Sequence, residues 1–245
     1  VWVLNAEDEA VMALPGEADG ARLVFRVNTQ LEAAEKGGYI DTDGNLSVRL
    51  DESATALVHR SELRILGAHN EANALAAAVA ALSAGAEPAC VAAGLRTFGG
   101  LEHRLEVAGN FDGVLWINDS KATNIDSTLV ALKSMTRPTV LLLGGRHKGE
   151  PYTRLSTEIA RTVRAVVAYG EAAPLIEQEL GKNASVIRDD GSFENVVGLA
   201  RSIARRGDVI LLSPACSSYD MFRNYEERGN AFKLLAGTPA AGLSA

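Results

Sequence analysis

Apolar and polar positions follow two different rhythms along the chain, and the rhythm changes near residue 99. Over residues 1–60, short runs rich in β-branched residues ("VWVLN", "ARLVFRV", "GGYID", "NLSVRL" and "TALVHR") alternate with polar stretches. These runs predict strands, and "DTDGN" supplies turn chemistry between two of them. Residues 69–84, "HNEANALAAAVAALSA", predict a helix rich in Ala and Leu that Gly85 stops. A second helix is expected over "EPACVAAGLRTF", with Pro88 near its first turn. The two glycines of "FGGLEH" then interrupt the pattern and place a boundary between residues 1–98 and 99–245.

Beyond that boundary strands and helices alternate. Strands are expected at "RLEVAG", "GVLWIN", "TVLLLGG", "AVVAYG", "SVIRDD" and "DVILLSP". Helices are expected at Ile125–Met135, Thr153–Val163, Ala172–Leu180, Ser192–Ala204 and Tyr219–Leu235. Most of these strands are continuous apolar runs, as required when helices cover both faces of a parallel sheet. The fold class is therefore α/β, with a doubly wound, Rossmann-like unit after a mixed unit of strands and helices. In such sheets ligands bind outside the carboxyl ends of the strands. Those ends carry three polar clusters: "NDSKATN" after "GVLWIN", "GGRHKG" after "TVLLLGG" and "SPACSSYD" after "DVILLSP". Loops at the opposite edge, such as "GKNA" and "ARRGD", are ordinary turn chemistry.

Each cluster has a functional and an ordinary reading. "SPACSSYD" is expected to run from a strand into a helix, placing Ser217 and Ser218 at a helix N-terminus that attracts an anion. A plain cap serine explains the same letters. Lys148 in the glycine-flanked "GGRHKG" can reach a carboxylate as a point charge, or simply be solvated. In "NDSKATN", Thr123 can cap the following helix while Asp119 and Lys121 pair on the surface. Asn70 and Asn73, beside His69, share one face of their helix, and their amides suit the edge of a base such as adenine. His103 and Arg104 follow the glycine hinge, where a rim salt bridge is the ordinary reading. Each ordinary reading is comfortable alone; three polar clusters at one sheet edge favour a site.

Composition narrows the classes. A net charge of −7 over 245 residues argues against a nucleic-acid surface but not against a small anionic ligand. Cys90 and Cys216 lie far apart without metal-ligand spacing, so free thiols are expected. No apolar run approaches the ~18 residues of a membrane span, so a cytoplasmic protein without membrane or nucleic-acid partners is expected.

The motifs together resemble one family. "GAHNEANALAA", "HRLE", "INDSKATN", "LLLGGRHKG" and "LSPACSSYDMFRNYEERGNAF" resemble, in order, signature runs of the Mur ligases. These are the ATP-dependent amide-bond-forming enzymes of peptidoglycan precursor synthesis, and so of cell-wall biogenesis, cell shape and division. The match is to the branch that adds D-glutamate to UDP-N-acetylmuramoyl-L-alanine. By that resemblance residues 1–98 are the later part of a central ATPase domain, and 99–245 are the carboxy-terminal Rossmann-like domain. The resemblance implies that Lys148 and Thr123 hold one carboxylate of D-glutamate, and Ser218 and the backbone at Tyr225 the other. It carries Asn70 and Asn73 over to the nucleotide, Asn73 at the adenine, and Arg104 and Asp119 to its ribose and phosphate side. Lys121 and Arg104 are carried over as catalytic. Position 147 is His where an acidic residue is more usual in the family, and Tyr225 stands for Phe.

The same resemblance implies ATP and Mg²⁺ as cofactors and a monomer. It puts the phosphate-binding loop, the Mg²⁺ ligands and a carbamylated lysine upstream of these residues. The 245 residues are then expected to be inactive alone, with residues 1–68 loosely packed for want of partner strands. A non-catalytic nucleotide- or amino-acid-binding module, or a mere product of domain dissection, is the competing reading.

Overall fold

A computed structural model describes residues 1–15 and 19–238. The chain divides into two compact units, Val1–Gly99 and Gly100–Ala245.

In the first unit, strands β1 (Trp2–Asn5), β2 (Arg22–Arg26), β3 (Gly37–Ile40), β4 (Asn45–Arg49) and β5 (Ala54–His59) form one sheet in sequence order. β1, β2 and β3 run parallel, and β4 and β5 follow antiparallel. The hairpin between β3 and β4 forms as its letters predict: Asp41 Oδ1 accepts from the amides of Asp43 and Asn45 at 3.0 and 2.8 Å. A short helix α1 (Glu9–Ala13) joins the first two strands; the residue pattern did not announce it. Helices α2 (Ala68–Ser83) and α3 (Pro88–Thr97) close the unit.

The expectation of loose packing over residues 1–68 is corrected. Leu23, Ile40, Leu46, Val48 and Val58 are buried in one cluster with Leu75, Ala78 and Val79 of α2. One Ala-rich helix lies close enough to the sheet to cover it. What stays uncovered is local, with Val1, Trp2 and Leu14 exposed at the β1 end.

The second unit contains β6 (Glu106–Phe111), β7 (Val114–Asn118), α4 (Ile125–Lys133), β8 (Thr139–Gly144), α5 (Ser156–Thr162) and β9 (Val163–Tyr169). It continues through α6 (Ala173–Leu180), β10 (Val186–Asp189), α7 (Phe193–Ile203), β11 (Val209–Leu212) and α8 (Tyr225–Gly237). Strand order is β10-β9-β8-β11-β7-β6, all parallel except β6, which is antiparallel to β7. The last strand is thus threaded between β7 and β8, with Leu211 level with both Ile117 and Leu141.

Side chains alternate across this sheet. Trp116, Val140, Leu142, Ile210 and Leu212 face Val196, Val197 and Phe232 of α7 and α8. Ile117, Leu141, Leu143 and Leu211 are buried on the other face, which α4, α5 and α6 cover. Every residue of β8 is buried, which explains its unbroken apolar run. Each fully buried leucine contributes roughly 1.5–3 kcal/mol.

Two expected boundaries move. The Tyr219–Leu235 helix begins only at Tyr225, because Asn224 is the cap that forms: its Oδ1 accepts from Glu227 N at 2.7 Å. Residues 218–222 instead close a turn, with Phe222 N donating to Ser218 O at 2.8 Å. The expected Thr153–Val163 helix splits into a 3₁₀ turn at Tyr152–Leu155 and α5, and Val163 already belongs to β9.

Candidate amino-acid site at the carboxyl edge of the sheet

The carboxyl ends of β7, β8 and β11 point the same way, so "NDSKATN", "GGRHKG" and "SPACSSYD" converge at one edge. The cap of α4 is Asn124, whose Oδ1 accepts from Ser127 N at 2.9 Å. That leaves the Thr123 hydroxyl uncommitted to the helix. Lys148 Nζ donates to Thr123 Oγ1 at 3.2 Å, so the loops after β7 and β8 meet through two of the residues singled out in the sequence. Lys148 is exposed and Thr123 half-buried, so the pair is open to solvent on one side.

The loop after β11 joins by backbone pairing. Arg146 N donates to Ser217 O at 2.9 Å and Ser217 N to Arg146 O at 3.2 Å. Such close pairing requires glycine at 145: with φ of 125°, a Cβ there would stand 2.3 Å from Ser217 O. Ser218 is buried, but no protein group pairs with its hydroxyl among the described residues. Contrary to expectation, neither Ser217 nor Ser218 lies at a helix N-terminus. The free amides of a helix end belong to α8, where Tyr225 is the first residue. Lys121 Nζ sits 3.8 Å from the centroid of the Tyr225 ring, a cation–π contact. Thr123, Lys148, Ser218 and Tyr225 therefore belong to one continuous set of loops, lined by two ammonium groups and an unpaired hydroxyl.

Other candidates are placed differently. Asp119 turns inward rather than to the surface: its carboxylate accepts from Ser213 Oγ at 2.8 Å and from Leu105 N at 3.2 Å. Burial pushes its pKa up to about 7, against the opposing pull of those bonds and of the Arg104 charge. It does not pair with Lys121. Arg104 itself is exposed, on a turn in which His103 and Leu105 hold φ of 64° and 44°. His103 is buried beside Asn118, whose Nδ2 lies 3.0 Å from His103 Nδ1 and 2.9 Å from Glu106 Oε2. Among the described residues Arg104 forms no rim salt bridge. Asn70 and Asn73 lie in the other unit, joined by a 3.3 Å bond from Asn73 Nδ2 to Asn70 Oδ1. Asn70 Nδ2 is spent on Leu66 O at 2.8 Å, whereas Asn73 is exposed.

Several residues of the site escaped the sequence reading. Ser120 Oγ donates to the Tyr225 carbonyl at 2.8 Å, tying the β7 loop to the start of α8. His147 Nδ1 lies 3.1 Å from Tyr152 Oη, which in turn lies 2.9 Å from Cys216 Sγ. Burial pushes the Cys216 thiol up to about 11, so it stays protonated at neutral pH. Arg228 is wholly buried, and "YEERGN" reads as a solvated face. The signal was its phase: Arg228, Phe232 and Ala236, four apart, are all buried on one side of α8.

A family model described as "Mur ligase, glutamate ligase domain" matches residues 103–216, the stretch that carries all three strand ends. UDP-N-acetylmuramoylalanine–D-glutamate ligases match along nearly the whole chain. That of Salinibacter ruber is 42% identical over 97% of this chain, and that of Symbiobacterium thermophilum 37% over 95%. Residues 103–216 thus carry the glutamate ligase domain of the Mur ligases. The chain spans about half the length of these relatives, 52% and 51% respectively. Solved structures of Mur and folylpolyglutamate ligases share the fold at low identity. UDP-N-acetylmuramate-alanine ligase of Thermotoga maritima gives a TM-score of 0.59 at 16% identity, over 96% of this chain and 52% of that one. Bifunctional folylpolyglutamate synthase/dihydrofolate synthase of Yersinia pestis gives 0.63 at 14% identity, over 93% and 50%. Among the described residues no group of three or more His, Cys, Asp or Glu is placed to hold a metal ion. No helix among them is long and apolar enough to cross a membrane.

Proposed function

We propose that this chain supplies the amino-acid-binding half of an ATP-dependent ligase that joins D-glutamate to UDP-N-acetylmuramoyl-L-alanine. The observation that carries the reading is the Lys148–Thr123 contact of 3.2 Å, formed across two loops in the same strand-end region as the unpaired Ser218 hydroxyl. D-Glutamate has two carboxylates and one amine. Lys148 and Thr123 take one carboxylate; Ser218 and the free amide at the start of α8, residue Tyr225, take the other. The amine then faces outward, toward an acyl phosphate made on the partner substrate, and catalysis at this end is positioning. Lys121, held on the Tyr225 ring, adds positive charge beside the reacting groups. Arg104 and Asp119 serve the nucleotide side, Arg104 by contact and Asp119 by fixing the turn that carries it. Asn73, exposed on α2, takes the adenine edge with Asn70 behind it. Residues outside this chain supply the phosphate-binding loop and metal ligands.

The test is steady-state kinetics of a full-length protein carrying this sequence. A charge-assisted hydrogen bond of about 1.5–3 kcal/mol is lost in Lys148→Ala. The KM for D-glutamate should rise roughly ten- to a hundredfold, with the KM for ATP nearly unchanged. Asn73→Ala should do the reverse. A Lys148→Ala enzyme with unaltered D-glutamate kinetics, or with its defect in ATP, removes the reading.

A further inference from the structure

Arg228 is a buried cation that pairs with no carboxylate among the described residues. Its guanidinium is spent on two loops instead. Nε donates to Ser120 Oγ at 2.9 Å and Nη2 to Ser120 O at 2.9 Å, while Nη1 and Nη2 each donate to Cys216 O at 3.2 Å. Ser120 passes the connection on, since its hydroxyl donates to the Tyr225 carbonyl at 2.8 Å. One side chain therefore joins three segments: the β7 loop that ends in Thr123, the β11 loop that ends in Ser218, and the first turn of α8. Burying a permanent charge is costly unless its donors are all used, and a helix face lined by Phe232 and Ala236 would otherwise take a leucine or methionine. The planar fork of arginine reaches one hydroxyl and two carbonyls at once, which lysine cannot do.

We infer that Arg228 is a positioning residue that sets the separation between the two carboxylate-holding arms of the amino-acid site, and so the length of diacid that the site accepts. The inference rests on the proposed function. Arg228 touches no substrate in this scheme. It fixes where Thr123 and Ser218 stand relative to each other, and leaves the nucleotide side alone. Gly229, next to it, lets α8 come close: a Cβ there would stand 2.2 Å from His103 Nδ1.

The experiment uses a full-length protein with Arg228→Met, Arg228→Lys and Ser120→Ala, and Lys148→Ala as the control. KM and kcat are measured for D-glutamate, for its one-carbon-shorter homologue D-aspartate, and for ATP. Arg228→Met should raise the KM for D-glutamate at least tenfold, leave that for ATP within about twofold, and narrow the preference for D-glutamate over D-aspartate about tenfold. Arg228→Lys should not restore it. Ser120→Ala keeps the bonds to both carbonyls and should raise the KM for D-glutamate several-fold; if Arg228→Met fails to fold, this variant decides alone. Unchanged KM and preference in the folded variants overturn the inference, as does an equal loss for all substrates. If Lys148→Ala also leaves D-glutamate untouched, the proposed function itself falls; if only the Arg228 and Ser120 variants do, the fault lies with this inference.

Discussion

Asp119 shows how one buried carboxyl makes stability depend on pH. Its folded pKa, about 7, lies above the ordinary 3.8, so the folded chain holds a proton that the unfolded chain releases. Stability from this group is fully present at low pH and is lost as pH rises from about 4 through 7. Asp119→Asn copies the protonated form: its amide can donate to Ser213 Oγ and its oxygen can accept from Leu105 N. The variant should match the wild type near pH 3.5 and exceed it at pH 8, by at most about 4 kcal/mol, since each tenfold change in proton affinity is worth about 1.4 kcal/mol. Denaturant unfolding at the two pH values checks this, and a variant weaker at pH 8 would contradict it. Ser218→Ala acts on function alone. A neutral hydroxyl is removed while backbone donors remain, so the KM for D-glutamate should rise only about fivefold, for roughly 1 kcal/mol. At this scale the sequence was legible in setting Thr123 and Lys148 in polar loops after apolar strands, where the two meet. It was illegible at Arg228 and Ser120, whose polar letters are buried because they bond to each other and to the carbonyls of Cys216 and Tyr225.

Elements were easier to read than their ends. The strands of both sheets appear near their expected positions, and in β8 and β11 the burial of every residue accounts for the apolar run. Ends depend on which of several competent caps is used, and that choice is tertiary. Between Ser217 and Asn224 four residues could cap a helix, and the pairing of Ser217 with Arg146 removes the first of them from the contest. The cap that remains is worth measuring. Asn224→Ala should lower stability by about 1 kcal/mol. It should also weaken D-glutamate binding, because the free amide of Tyr225 is aimed by that first turn; a melting shift without a change in KM would detach α8 from the site. Gly145→Ala should be more severe. It demands a left-handed φ of 125° and collides with Ser217 O, so the strap between the β8 and β11 loops must open. A loss of roughly 2 kcal/mol or more, and of D-glutamate saturation, is expected from thermal unfolding and kinetics.

The two units differ in what they can do alone. Residues 100–245 contain a sheet covered on both faces and the whole proposed amino-acid site. Expressed separately, that segment should unfold in one cooperative transition. Added D-glutamate should shift the NMR resonances of Thr123 and Lys148 in the wild type but not in Lys148→Ala. A molten segment, or shifts that survive the substitution, would count against it.

The place of β11 governs when this site comes into being. It is the last strand among the described residues, yet it lies in the middle of the sheet, aligned with Val209 between Leu115 and Thr139. On a growing polypeptide, β7 and β8 emerge long before the strand that must separate them. They have to wait side by side without pairing, or pair wrongly and be prised apart. Closing contacts across some seventy to ninety residues is slow, since the chain gives up its freedom before the contacts repay it. A ribosome that stalls anywhere short of β11 holds a sheet with an open seam and two apolar strands to either side. The three strand-end loops come together only once β11 has emerged, and until then the same edge is a site for aggregation.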